Sequence, residues 1–189
     1  INKLINTFQP VFSEYTFANL YLFRREHDYR VLREDGFVYL QGITYDGTHY
    51  LMPMSPLEEI GVPRLKKLMM DGFSIFPVGE KDLHLFNESE FDYTYNENDS
   101  DYVYTREKIA LYPGRKLSKK RNLMKQYRTL YSYEDRPYSC VYATDALKAL
   151  DRWFEMGGLP LEDTDYVACA EAINHCEEFG LSGQVYYAG

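Results

Sequence analysis

The chain has 189 residues and a formal net charge of −8, with 45% hydrophobic and 26% charged residues. Enough apolar material is present for one ordinary domain, or one domain plus part of another, which excludes a disordered or fibrous chain. The acidic balance disfavours nucleic-acid binding over the whole surface and leaves room for a local basic site.

Three sparse cysteines, Cys140, Cys169 and Cys176, form no disulfide framework and fit a reducing cytoplasm. Cys169 and Cys176 share one face if their segment is helical, and are expected as buried free thiols. The four histidines (His27, His49, His84, His175) have no ligand spacing. No run approaches about 18 apolar residues, and the opening INKLINTFQPVF lacks the apolar region of a signal peptide. A soluble cytoplasmic protein is expected.

In chain order, Ser13 is expected to cap a short helix carrying Phe17, Leu20, Tyr21 and Phe23 at helical spacing. A β-meander follows: Tyr29–Arg33, a turn at Asp35-Gly36, Phe37–Tyr45, a hairpin turn at Asp46-Gly47, and Thr48–Met54. Ser55, Pro56 and Glu58 read as cap, first and third positions of a helix that runs to Asp71, before Gly72. Ser74–Val78 reads as a strand, so strand–helix–strand makes a crossover. Glu80–Phe86 is expected as a helix and residues 87–100 as an acidic loop with a short extended piece at Phe91–Tyr95.

Tyr102 and Tyr104 sit in a short strand, where core packing is the simple expectation and the wall of a cleft the alternative. Thr105 caps a helix to Leu111, and Pro113-Gly114 breaks it. The next stretch is the one strongly basic segment. Gly114–Arg128 holds Arg115, Lys116, Lys119, Lys120, Arg121, Lys125 and Arg128, seven of the 21 basic residues, and no acid; the remainder therefore carries −15. Leu117, Met124, Tyr127 and Tyr131 form one stripe of this helix, expected to be buried, with the cations outside it. Asp135–Pro137 is read as a break and Ser139–Tyr142 as a strand. Thr144 caps a helix to Met156, Gly157–Pro160 is a connector, a helix runs from Asp163 or Thr164 to Phe179, and Gly183–Tyr187 is a strand. A lone strand there is marginal, so its partner is expected outside the chain.

Ser13–Phe23 (SEYTFANLYLF), Asp101-Tyr102-Val103-Tyr104, Leu111–Lys116 (LYPGRK) and Lys119-Lys120-Arg121-Asn122 together resemble the bacterial family that includes the C-terminal catalytic domain of phosphatidylglycerol lysyltransferases. The resemblance covers Phe12 to Gly189. It implies an α/β (α+β) fold of the GNAT (acyl-CoA N-acyltransferase) type, a mixed, mainly antiparallel sheet flanked by helices. It also implies two such folds in tandem: residues 1–158 with an N-terminal helix as the first, and 159–189 as the start of a second whose remainder is missing.

In the lysyltransferases an aminoacyl group moves from a charged transfer RNA to a lipid hydroxyl. Their catalytic residues lie largely in the second fold, so the resemblance assigns none here. A donor of aminoacyl-tRNA or acyl-CoA type is implied. Gly114–Arg121 contains a single glycine, unlike the glycine-rich loop with which acetyltransferases hold the CoA pyrophosphate.

For the basic segment three readings stand: a solvated face or one neutralised by the acidic loop, an RNA-backbone contact, or a site for a small phosphate or CoA. The candidate anion-binding residues are Arg115, Lys116, Lys119, Lys120, Arg121 and Asn122. The carboxylates Glu58, Glu59, Glu80 and Asp82 read as caps and surface charges rather than general bases, and His84 as a plain helix residue.

Overall fold

A computed structural model describes residues 1–8, 12–97 and 100–188, with the side chain of Asn2 left aside. The expected acidic loop at 87–100 thus falls partly outside the described residues, at 98 and 99. The chain divides into two compact units, Ile1–Asp99 and Ser100–Gly189.

The first unit is built on a four-stranded sheet of order β1-β2-β3-β4: Arg30–Glu34, Phe37–Ile43, His49–Pro53 and Ser74–Ile75. The first three strands are the expected antiparallel meander, with Leu32 opposite Tyr39 and Leu40 opposite Met52. Glycine makes the turns: Gly36 and Gly47 have φ of +83° and +86°, the left-handed region a side chain disfavours. β4 joins β3 in parallel, so the connection is the expected crossover.

Alternation sends apolar side chains to both faces. Leu40, Tyr50, Met52 and Met54 face one side with Ile5, Tyr15 and Leu20, contributed by helix α1 (Asn2–Phe8), a 3-10 turn (Ser13–Tyr15) and helix α2 (Phe17–Leu22). Tyr39 and Leu51 face the other with Leu57, Ile60, Leu65 and Leu68 from helices α3 (Leu57–Ile60) and α4 (Val62–Met70). The first unit is therefore a mixed, mainly antiparallel sheet flanked by helices. The hydroxyl of Tyr15 donates to the carbonyl of Pro53 at 2.9 Å and ties the N-terminal segment to the edge of β3.

Several local expectations are corrected. α1 precedes the expected first helix, and α2 is capped by Thr16, whose hydroxyl accepts from Asn19 N at 3.2 Å, rather than by Ser13. The single helix at 55–71 is two helices, because Gly61 adopts φ +82°, and no side chain caps the first. β4 ends at Ile75, ahead of Pro77, which has no N–H to donate. Glu80–Leu85 is a 3-10 turn, and Phe91–Tyr95 forms no strand; Phe91 instead buries itself edge-on against Phe86, centroids 5.2 Å apart.

The second unit carries helices α5 (Arg106–Leu111), α6 (Ser118–Leu130), α7 (Ala143–Gly157) and α8 (Tyr166–Asn174) with a two-stranded antiparallel sheet of β5 (Tyr133–Pro137) and β6 (Gln184–Ala188). The expected break at Asp135–Pro137 is thus a strand, and the expected strand at 139–142 is a 3-10 turn (Cys140–Tyr142). β6 finds its partner inside the chain, and the ladder spans the connector at 157–160. Tyr138 prolongs it, its N–H donating to Gly183 O at 2.9 Å and its hydroxyl to Ile173 O at 2.8 Å. α7 and α8 meet through Phe154 and Tyr166, centroids 5.0 Å apart, with Tyr166 donating to Asp151 at 2.6 Å. Among the described residues of this unit only Ala168 and Cys176 are buried hydrophobics. No described helix is long and apolar enough to cross a membrane.

Two substitutions test the core of the first unit. A Cβ on Gly42 would meet the Tyr50 ring at 2.6 Å and Tyr29 at 3.0 Å. Tyr50 is held between Phe76 and His27, so Gly42→Ala is expected to lower stability by about 1–3 kcal/mol in urea unfolding. Tyr39 is fully buried and its hydroxyl has no hydrogen-bond partner among the described residues, so Tyr39→Phe is expected to leave the unfolding midpoint unchanged or raise it.

Candidate anion-binding site

The basic segment is built by a break and a restart. Thr105 caps α5 by accepting from Lys108 N at 3.2 Å, and the helix ends where Tyr112 turns left-handed at φ +44°. Gly114 follows at φ +82°, a conformation strained for any residue with a Cβ. Arg115–Leu117 make one 3-10 turn and α6 begins at Ser118. The Arg121 guanidinium reaches back to the carbonyls of Tyr112 and Gly114, the latter at 2.7 Å. Arg121 thus braces the break through its Nη1 while remaining an exposed residue.

The other candidates are outward. Arg115, Lys116, Lys119, Lys120 and Asn122 are all exposed, as are Lys125 and Arg128. Among the described residues these cations have no carboxylate partner within their own unit. The pairs formed there belong elsewhere: Arg136 with Glu134, Lys148 with Asp145 and His175 with Glu178. Like charges crowded on one helix repel, which makes the segment the candidate for an anion.

The expected burial of the apolar stripe is corrected. Leu123, Met124, Tyr127, Leu130 and Tyr131 are exposed, and no residue of α6 is buried. Only aromatic contacts support the stripe: Tyr127 lies 5.3 Å from Tyr131 and 5.6 Å from Tyr133, centroid to centroid. The reason is that a two-stranded sheet supplies no core layer for it to join. Tyr102 and Tyr104 are likewise exposed and stack on each other, which places them outside any core.

Of the other charged groups, some are paired. A groove at Pro63, Arg64 and Lys67 is lined by cations already paired, Arg64 with Asp35 at 3.4 Å and Lys67 with Glu34 at 2.7 Å. Glu58, Glu59 and Glu80 are exposed; Asp82 is buried, 3.9 Å from Lys81. A cavity of about 100 Å³ lies beside Tyr138, Cys140 and Cys176. The expectation of buried thiols holds for Cys176 alone, whose thiol donates to Leu181 O at 3.4 Å; Cys140 and Cys169 are exposed. Although Cys169 is exposed as a residue, partial desolvation by its surroundings raises its thiol pKa, with Asp165 adding to the shift, so its nucleophilic thiolate is disfavoured. No three His, Cys, Asp or Glu side chains among the described residues come together as metal ligands.

Arg121→Ala is expected to release the Tyr112 and Gly114 carbonyls. Amide exchange measured by mass spectrometry should quicken over residues 112–118 and stay unchanged in β1–β3.

The chain matches a solved structure, a conserved protein of unknown function from Bacteroides thetaiotaomicron, with 21% identity and a TM-score of 0.82. The match covers 99% of this chain and 68% of that one, and at this identity it shows a shared fold. No curated protein matches the chain. The family profile described as "Phosphatidylglycerol lysyltransferase, C-terminal" matches residues 6–188, almost the whole length, and the chain belongs to that family.

Proposed function

We propose that the chain is the donor-binding part of an acyl- or aminoacyl-transferase of GNAT type, with an aminoacyl-tRNA or an acyl-CoA thioester as donor. The observation that carries this reading is the run of exposed cations from Arg115 to Arg128, without a carboxylate partner in its unit and mounted on a break that Arg121 holds rigid. Arg115, Lys116, Lys119 and Lys120, with Asn122 beside them, contact donor phosphates, while Arg121 positions them. In the reaction an acceptor amine or hydroxyl attacks the activated carbonyl, and the bond to the donor's ribose oxygen or CoA sulfur breaks. The protein contributes orientation and charge stabilisation.

The family's printed name supports transfer of a lysyl group to phosphatidylglycerol by its members; the donor and acceptor of this chain are part of the proposal. So is the tandem assignment, residues 1–158 to a first GNAT-like domain and 159–189 to the start of a second. A cytoplasmic setting fits three unpaired thiols. The second reading, favoured by the absence of an assigned catalytic group, is a non-catalytic anion- or RNA-binding module that keeps the fold.

Titration with charged transfer RNA at rising salt tests the site. Replacing Lys119 and Lys120 by Ala is expected to weaken binding and to flatten the slope of log K against log salt by about 2. Absence of binding at low salt, or an unchanged slope, overturns the RNA contact. Release of CoA thiol from acyl-CoA in the same preparations reports the thioester route, and inertness toward both donors leaves the non-catalytic module.

A further inference from the structure

Two exposed tyrosines precede the basic segment and belong to no core. Tyr102 and Tyr104 lie two residues apart, 88% and 49% exposed, with ring planes within 4° of parallel and centroids 6.4 Å apart. Val103 between them is 87% exposed, so the segment presents its side chains to solvent rather than to a packed layer. Helix α5 starts immediately afterwards, fixed by the Thr105 cap, and its Lys108 ammonium sits 5.1 Å from the Tyr104 ring centroid.

Exposed parallel rings offer flat faces on which a third planar ring can stack. Insertion between them needs about 7 Å, two carbon contact distances. The 6.4 Å between centroids is the upper bound on the gap between the planes, so insertion requires χ rotations of the two exposed side chains. Stacking on one outer face needs no movement.

We propose that Tyr102 and Tyr104 form a stacking platform for the adenine of a phosphate-bearing adenosine, whose phosphates extend toward Lys108 and the cations that begin at Arg115. This rests on the reading of the basic segment as a donor-phosphate site and identifies what the donor brings beside its phosphates. An adenosine carrying phosphate is common to both donor classes: it ends the CCA terminus of a transfer RNA, and it is the nucleotide of coenzyme A. Asp101 and Glu107 flank the platform, so its local charge is mixed. Stacking, which every base permits, is therefore the attraction there, while α6 supplies the charge.

The division of labour gives a test with separable outcomes. The full chain is titrated with adenosine 3′,5′-bisphosphate, with an RNA oligonucleotide ending in CCA, and with inorganic pyrophosphate as a ligand without a base. Tyr102→Ala and Tyr104→Ala are each expected to weaken both adenosine ligands by about 5- to 100-fold, to leave the salt dependence unchanged and to leave pyrophosphate unaffected. The Phe variants are expected to bind like the parent. Both rings are exposed, and the circular dichroism of all four variants should match the parent.

Tighter binding of the bisphosphate assigns the platform to a CoA-type donor, and tighter binding of the oligonucleotide to a transfer RNA. Equal affinity for pyrophosphate and the bisphosphate, parent-like binding by the Tyr→Ala variants, or no binding of either adenosine ligand overturns the platform. If the Tyr→Ala variants weaken binding while Lys119 and Lys120 replaced by Ala do not, the platform stands and the phosphate reading of α6 falls.

Discussion

Strand β2 is the constraint on which the first unit depends. It carries apolar side chains on both faces, Tyr39 toward one and Leu40 toward the other, and both are almost fully buried. A sheet with two apolar faces must be covered twice. The chain meets this with elements from either side of the meander in sequence, α1 and α2 on one face and α3 and α4 on the other. Each added feature serves that closure. Gly42 lets the Tyr50 ring lie close to the sheet, Tyr15 pins the incoming segment to Pro53, and Arg64 stacks on Phe37 at the rim of the second face.

The second unit follows a different logic. Its two strands have exposed side chains along nearly their whole length, and β5 (YEDRP) is held by ladder hydrogen bonds and by side-chain bonds such as that from Arg136 to the Tyr142 hydroxyl at 3.2 Å. A two-stranded ladder is marginal in water without a covered face. The hydrophobic side chains that would cover one, Trp153 and Met156 on α7 and Leu123 and Leu130 on α6, are exposed. This unit therefore displays what the first unit conceals: a basic helix, its apolar stripe and two stacked tyrosines.

What was legible in the sequence tracks where local chemistry alone decides. Asp-Gly turns, the Thr105 cap and the Pro113-Gly114 break are set by backbone preferences of single residues, and the structure has them in place. The meander and the antiparallel, helix-flanked sheet follow from alternation. β5 was hidden because Tyr-Glu-Asp-Arg-Pro has neither apolar alternation nor strand propensity; only its pairing with β6, some fifty residues later, makes it a strand. The split at Gly61 was hidden because a glycine inside an amphipathic run is compatible with one helix or two. The fate of the α6 stripe was hidden because amphipathicity states that a face is apolar, not that a neighbour exists to bury it. Tyr102 and Tyr104 carried the same ambiguity, since a tyrosine in the interior and one at a binding surface look alike in sequence.

The candidate site was legible as composition and illegible as geometry. Five cations and Asn122 read as one candidate cluster, yet Arg121 differs from the rest in being bonded to the backbone of the break. Arg121 directs its Nη1 at the carbonyls of Tyr112 and Gly114, and the charge on the guanidinium strengthens both bonds. The lysines have single rotatable charges on flexible stems, and they remain in solvent. Arg121 is bonded to the backbone of the break while Lys116, Lys119 and Lys120 carry their charges on flexible stems in solvent. That arrangement suits the irregular phosphates of a nucleotide better than a fixed protein carboxylate, whose partners elsewhere in this chain are one-to-one pairs such as Lys67 with Glu34. The lack of glycines around Gly114 bears on the proposed site: the backbone cannot close on a pyrophosphate, so any contact there falls to side chains, and side chains that are cationic and aromatic are what the second unit exposes.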